Sequence, residues 1–426
     1  MESFQTMNLP AELEKALSDL KFINPTEIQS AVIPVALLGC DLMACAETGS
    51  GKTAAYGIPI VLQLLKNLEK QALILAPTRE LVHQIAEVFR KLTEHCNYIR
   101  VTSIVGGTDI RKQLKVLKKK PRIIVATPGR LMDHIRRKSF TIDSIKILVL
   151  DEGDRMLDMG FAPQLDEILK YLPKARQTSL YTATLPKKVR SLAEKYLTNP
   201  RQIDVGQASQ PVSAIQQSVI QVSVQDKNER IISELTEREG SVIVFSRTKY
   251  RTDILAKRLL KKGFTVDTIH SGRTQGQRSR ALENFKKGVS RILCATDIAA
   301  RGIDIPYVAH IVNFDLPVME EDYVHRIGRT ARNGATGEAV SFVTPEDHEN
   351  WKFLVQKYNI QGVELNDSSN TRVELNDSVT YKTGLSRGLS YNGRKHKFQP
   401  KKKPSRSFKS KKHQSYFSRR KATRAL

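Results

Sequence analysis

At 426 residues, with 40% hydrophobic and 27% charged side chains, the chain exceeds what one hydrophobic core usually serves, and two domains are expected. Its formal net charge of +25 draws it to polyanions whatever its fold, and the excess is concentrated: from Val379 to Leu426 there are 16 Lys and Arg and no Asp or Glu. The apolar runs stop well short of the roughly 18 to 20 residues that cross a bilayer, and no basic stretch followed by an apolar core opens the sequence; membrane and secreted classes are excluded and the cytoplasm is expected. Cys40, Cys45, Cys96 and Cys294 have the spacing of neither a disulfide framework nor a zinc site and read as small buried thiols.

Leu42, Met43, Ala44 and Cys45 form the first apolar run. Ala46-Glu47-Thr48-Gly49-Ser50-Gly51-Lys52-Thr53 follows it and opens a predicted helix from Thr53 to Leu68. A phosphate cradle needs glycines that let backbone amides approach oxygen, a helix N-terminus, a lysine for the terminal phosphates and a hydroxyl for magnesium. Gly49, Gly51, Lys52 and Thr53 meet those demands, although Ala46 stands where the general pattern has its first glycine.

Apolar runs then alternate with helical patterns: Ala72 to Ala76, Val101 to Val105, Ile123 to Ala126, Ile147 to Leu150 and Ser179 to Tyr181, with Leu81, Ile85, Val88 and Phe89 at helical spacing. Such alternation predicts a parallel sheet covered by helices. The run ending at Leu150 delivers Asp151 and Glu152 to the carboxyl edge of that sheet. Nucleotide hydrolysis needs one acidic group to anchor magnesium and another to orient and deprotonate water, and this pair suits both roles.

The pattern pauses at Asn199-Pro200 and through Gly206 to Val212, read as a hinge at residues 206–213 between a first domain, 1–205, and a second, 214–360. It resumes with Ser241 to Phe245, Thr265 to Ile269, Arg291 to Ala295, His310 to Phe314 and Ala339 to Val343. Within that domain His325-Arg326-Ile327-Gly328-Arg329-Thr330-Ala331-Arg332 sets Arg329 and Arg332 three residues apart, candidate arginine fingers for a transferred phosphoryl group.

Residues 361–426 read as linker and disordered basic tail, with little apolar material to bury. The hexapeptide from Val363 to Ser368 recurs from Val373 to Ser378, a local duplication. If about 8 tail cations meet phosphates of a single strand, log affinity falls with log salt at a slope of roughly −6; deleting residues 379–426 is expected to weaken RNA binding while sparing basal ATP hydrolysis, and an unchanged affinity at low salt would exclude this tether. Tyr381, Tyr391, Phe398, Phe408, Tyr416 and Phe417 are interspersed for stacking on bases.

Taken in order, these segments and the ones that follow resemble the DEAD-box RNA helicases over residues 3–350. Phe4 with Pro25-Thr26-Glu27-Ile28-Gln29 resembles the family's adenine-reading motif, which implies ATP as substrate, Phe4 stacked on the base, and Thr26 and Gln29 at its edge. The resemblance implies that Ala46, Glu47, Thr48, Gly49, Ser50, Gly51, Lys52 and Thr53 hold the phosphates, that Mg2+ sits on Thr53 and Asp151, and that Asp304 of Ala295-Thr296-Asp297-Ile298-Ala299-Ala300-Arg301-Gly302-Ile303-Asp304 touches the ribose. Pro77-Thr78-Arg79-Glu80-Leu81, Gly106-Gly107 and Thr127-Pro128-Gly129-Arg130 look like RNA-backbone contacts of the first domain: Pro77, Thr78, Arg79, Gly107, Thr127, Gly129 and Arg130. Arg247, Gln275, Arg278 and Thr296 continue them in the second. Thr182-Ala183-Thr184 resembles the Ser-Ala-Thr motif, and coupling of hydrolysis to strand separation falls to Asp154, Thr182, Thr184 and His325.

The implied fold is α/β, two tandem RecA-like open parallel-sheet domains. The implied activity is RNA-stimulated ATP hydrolysis that drives local duplex unwinding or ribonucleoprotein remodelling by a monomer whose partner is RNA, duplex or single-stranded, read largely without regard to sequence. A short basic tail after a compact core is similar to the bacterial RhlE-like subgroup, which implies ribosomal particles or RNA-degradation proteins as further partners. Two departures stand out: the name-giving tetrapeptide reads Asp-Glu-Gly-Asp with Gly153, and Ala331 replaces the usual glycine. Gly153 removes one methyl and costs about 0.5–1 kcal/mol at a regular position. Ala331 is expected to suit a helical backbone. Two rival readings are an ATP-independent RNA chaperone acting through the tail and a DNA helicase of the wider superfamily; the adenine motif ending at Gln29 stands against the second.

Overall fold

The computed structural model describes residues 3–46, 49–205, 215–300, 308–331, 336–360 and 372–373. Glu47, Thr48, Asp304, Arg332, the expected hinge and the basic tail lie outside the described residues.

Seven strands of the first half, β1 (Leu42–Cys45), β2 (Gln71–Leu75), β3 (Val101–Ile104), β4 (Ile123–Ala126), β5 (Ile145–Leu150), β6 (Gln177–Thr182) and β7 (Arg201–Asp204), form one parallel sheet in the order β3-β4-β2-β5-β6-β1-β7. Strands buried on both faces read as continuous apolar runs. In β5, Ile147 and Val149 join a core with Ile28, Tyr56, Ile85 and Phe89, while Leu148 and Leu150 join a second core with Met156, Leu180 and Leu192. Helices therefore cover both sides. The register pairs Leu150 with Leu75 and Leu180, and Cys45 with Thr182. The residues that follow these strand ends, Ala46, Asp151 and Ala183, are thereby gathered at the carboxyl edge of the sheet, where open α/β sheets bind ligands.

The second half repeats the plan with β8 (Ile215–Gln221), β9 (Val242–Phe245), β10 (Val266–Ile269), β11 (Ile292–Ala295), β12 (His310–Asn313), β13 (Gly337–Val343) and β14 (Arg372–Val373), ordered β10-β11-β9-β12-β13-β8-β14. All pair in parallel except β14, which runs antiparallel to β8.

Ten apolar runs after the first, read from sequence, fall on strands, with ends displaced by at most two residues. Three strands were not read from sequence, β7, β8 and the two-residue β14. β7 reads Arg-Gln-Ile-Asp because it is a largely exposed edge. β8 carries Gln216 and Gln217, and the buried Gln217 accepts a hydrogen bond from Tyr323 Oη at 2.7 Å.

Ala331 corrects the expectation of a helical backbone: its φ is +52°. Thr330 Oγ1 donates to Val308 O at 2.5 Å, and a Cβ on Gly337 would lie 2.7 Å from Ala331 N, so the chain must turn away after Thr330. An L-residue in the left-handed region costs about 1–2 kcal/mol that glycine largely avoids. Ala331→Gly is expected to raise the melting temperature of this half by about 2–4 °C per kcal/mol released, read by calorimetry; an unchanged or lowered value would contradict the strain.

Candidate nucleotide and RNA site

The phosphate loop runs from β1 into the helix Lys52–Lys66. Gly49 and Gly51 take φ of +94° and +98°, a backbone that suits glycine. Thr26 caps the helix Glu27–Leu37, its amide donating to Gln29 Oε1 at 2.9 Å, and Gln29 Nε2 donates to Gly51 O at 3.2 Å. The adenine motif is thus bonded to the end of the phosphate loop. A Cβ on Gly51 would meet Gln29 Nε2 at 2.5 Å and Thr26 Oγ1 at 3.0 Å, so this glycine answers a close approach as well as a torsion. Phe4 is buried among Leu13, Leu17 and Ile28. Ser50 and Thr53 are half-buried at the mouth.

Lys52 is buried and its Nζ donates to Ala46 O at 2.5 Å. Burial pushes the ammonium below the ordinary lysine range, against the pull of Asp151, Glu152 and Asp154. Asp151 follows β5 and is 3% exposed; its Oδ2 accepts from Tyr56 Oη at 2.7 Å and its Oδ1 from the Glu152 amide at 2.9 Å. Burial and the neighbouring Glu152 push the Asp151 carboxyl up to about 6, opposed by Lys52 and the Tyr56 hydroxyl. Tyr56 was invisible as a functional residue in the sequence, where it reads as core. The only signal is its spacing, one turn after Lys52, which turns it to the same side of the helix.

Glu152 adopts φ +53° and is buried, and its Oε2 has no hydrogen-bond partner among the described residues. A buried carboxylate oxygen left without a protein donor is free to accept from water or substrate. Asp154 Oδ2 accepts from the amides of Ala183 and Thr184, each at 3.3 Å, and from Thr184 Oγ1 at 3.1 Å. Thr182 Oγ1 donates to Thr184 O at 2.7 Å. The Asp-Glu-Gly-Asp segment and the Thr-Ala-Thr turn are therefore one hydrogen-bonded unit.

A groove of about 450 Å³ opens beside the same sheet edge, lined by Pro77, Thr78, Arg79, Glu80, Gly106, Thr127, Gly129, Arg130 and Arg278 among others. Thr78 caps the helix Arg79–Leu92, accepting from the Leu81 amide at 3.2 Å, and Thr127 precedes Pro128 at the start of the helix Pro128–Arg136. Arg79 lies against the glycine pair: a Cβ on Gly107, whose φ is +76°, would meet its Nη1 at 2.0 Å. Arg130 Nη1 donates to Thr108 O at 3.0 Å and to Gln113 Oε1 at 3.2 Å.

From the second half, Gln275 Nε2 and Arg278 Nη2 reach Glu80, at 2.9 and 2.7 Å. Glu80, part of the Pro-Thr-Arg-Glu-Leu segment, was given no role of its own in the sequence. Arg247 bonds Asp347 Oδ1 at 3.2 Å, while its amide donates to Asp315 Oδ2 at 3.0 Å. Burial pushes Asp315 up, but Lys227, the Arg247 amide and Arg251 outweigh it and hold the carboxyl below its usual range. Thr296 is half-buried at the end of β11. In the arginine motif, His325 Nδ1 lies 3.9 Å from Asp322 Oδ1 and Arg329 is buried. The intervening Arg326 is committed to structure: it grips Asp297 through two bonds at 2.5 and 2.8 Å, donates to Asn313 Oδ1 and Asp315 O, and covers the Phe245 ring.

Residues 26–192 match the DEAD/DEAH box helicase family and residues 226–334 the helicase conserved C-terminal domain. The DEAD-box ATP-dependent RNA helicase CshA of Geobacillus kaustophilus is 43% identical over 350 residues, 82% of this chain and 74% of that protein. The ATP-dependent rRNA helicase RRP3 of Meyerozyma guilliermondii is 46% identical over 354 residues, again 82% of this chain and 74% of that protein. Among solved structures, Dbp5 of S. cerevisiae bound to RNA and ADP BeF3 superposes with a TM-score of 0.76 at 33% identity, covering 85% of this chain and 95% of that one. Neither rival reading, chaperone or DNA helicase, is favoured by these relatives. With its two RecA-like sheets, its phosphate loop and its carboxylates on one sheet edge, the chain belongs to the DEAD-box ATP-dependent RNA helicases, enzymes that hydrolyse ATP and bind RNA.

Proposed function

We propose that the site works by dividing ATP between the two halves and completing it only when RNA is bound. Gly49, Gly51, Lys52 and Thr53 receive the phosphates, and Gln29, tied to Gly51, reads the adenine edge. Glu152 orients and deprotonates the attacking water, and Arg329 with Arg332 neutralises charge on the transferred phosphoryl group. Arg79, Arg130 and the glycine pair track the RNA backbone, joined by Arg247, Gln275, Arg278 and Thr296. Asp154, bonded to Thr184, links the two events. The observation that supports this reading best is that the bonds Gln29–Gly51, Lys52–Ala46, Tyr56–Asp151 and Thr184–Asp154 tie the adenine motif, the phosphate loop, the end of β5 and the Thr-Ala-Thr turn to one another in pairs.

The residues present fit Mg2+. Among the described residues no three His, Cys, Asp or Glu side chains converge as a self-sufficient metal cage, and Asp151 is a carboxylate that burial and the neighbouring Glu152 push up to about 6, a raised anion that a bound cation would offset. Thr53 and Asp151 would hold the ion together with the nucleotide's own oxygens, and the ion supplies electrostatic stabilisation of the phosphates.

The expected result is that single-stranded RNA raises the ATP turnover number of the purified protein. Equal turnover with and without RNA would overturn the divided-site reading. On the likeness to relatives named for rRNA, we place the chain in ribosome assembly or RNA turnover, as a cytoplasmic monomer whose tail tethers structured RNA. The likeness to the RhlE-like subgroup rests on the tail. Crosslinks to ribosomal RNA in cells test this assignment, and their absence would remove it.

A further inference from the structure

We propose that Gly153 is a positioning residue whose missing methyl is occupied by Leu180, so that the glycine in the Asp-Glu-Gly-Asp segment and the leucine of β6 together set where the carboxylates stand. The inference rests on Glu152 as the hydrolytic base and Asp154 as the link to Thr184.

Gly153 is buried and opens the short helix Gly153–Asp158. A Cβ built on it would lie 2.4 Å from Leu180 Cδ1, 3.5 Å from Leu180 Cγ and 3.8 Å from Tyr181 O. Carbon atoms rest about 3.5–4.0 Å apart, so an alanine here demands a displacement of about 1 Å. Leu180 has little room to yield. It is fully buried among Leu148, Leu150, Met156, Val189 and Leu192, and close-packed cores resist such a shift.

What moves instead is the segment carrying the chemistry. Glu152 immediately before Gly153 is already at φ +53°, and its Oε2 has no donor among the described residues. Asp154 immediately after holds Ala183 and Thr184 by contacts of 3.1–3.3 Å, at the long end of the hydrogen-bond range, where a few tenths of an ångström decide whether they persist. The residues that bind ATP, Lys52 and Gln29, stand on other elements and are anchored independently to Ala46 and Gly51. Restoring the methyl should therefore disturb turnover and its coupling to RNA, and leave ATP binding nearly intact.

The test is a cycle of Gly153→Ala, Leu180→Val and the double variant, each assayed for kcat, KM for ATP and the stimulation of turnover by single-stranded RNA. Gly153→Ala is expected to lower kcat about tenfold and to reduce RNA stimulation, with KM for ATP within about twofold of wild type. Leu180→Val leaves no δ carbon to reach the Cδ1 position and is expected to restore most of kcat and of the stimulation in the Gly153→Ala background. Wild-type kcat and stimulation in Gly153→Ala would overturn the proposal, as would a double variant no better than Gly153→Ala. Should Gly153→Ala fail to fold, the double variant still decides: it must fold and couple. If Glu152→Gln remains active, the hydrolytic assignment falls; if Glu152→Gln is inactive and Gly153→Ala behaves as wild type, the present inference alone falls.

Discussion

Replacing Glu152 by glutamine is expected to lower RNA-stimulated ATP turnover by about 10²- to 10⁴-fold, the range for a lost general base, while ATP binding stays within about twofold. Glutamine keeps the length and shape of the side chain and one oxygen, so packing in the buried site survives. It cannot accept a proton. The buried Oε2, which has no donor among the described residues, belongs to the carboxylate whose capacity to take a proton disappears. Binding should hold because the residues proposed to recognise phosphate and base, Lys52 and Gln29, are anchored to Ala46 O and Gly51 O without help from Glu152. The measurement is steady-state turnover at saturating RNA, paired with equilibrium binding of a fluorescent ATP analogue. Wild-type turnover in Glu152→Gln would remove the residue from the chemistry.

Arg329→Ala is expected to reduce turnover by about 10³-fold or more, in line with arginine fingers elsewhere, and Arg329→Lys to recover little. The guanidinium presents a planar fork of donors that suits phosphoryl oxygens, whereas an ammonium is a point charge on a flexible stem. Burial of Arg329 means that truncation also tests the fold, so the thermal transition and ATP affinity must be read alongside kcat. Arg326→Ala supplies the contrast. That side chain is held by Asp297, Asn313 and Asp315, so its loss should lower stability first and activity only through unfolding. A drop in turnover of less than tenfold in Arg329→Ala, with the fold intact, would exclude the finger.

The phosphate loop, the paired carboxylates and the alternation of strands with helices were legible because each is local. A glycine-rich turn between an apolar strand and a helix, or two acids at a strand end, carries its meaning within ten residues. Tyr56, Glu80 and Arg326 were not legible, since their partners Asp151, Arg278 and Asp297 lie 95, 198 and 29 residues away in sequence. β7 and β8 escaped for a related reason: an edge strand and a strand whose buried glutamine finds Tyr323 need no hydrophobic signature.

The sequence by itself determined the two sheets of mainly parallel strands and the order of the motifs, because hydrophobic periodicity and turn chemistry act between near neighbours. Only the tertiary structure decided which groups meet. Parallel register sets the ends of β1, β5 and β6 side by side, and close packing then dictates that position 153 has no space for a methyl while position 331 must bend left-handed even though it bears one. Those two departures look alike as single-residue exchanges of alanine and glycine. They differ because the steric surroundings of a residue are built by segments far from it along the chain.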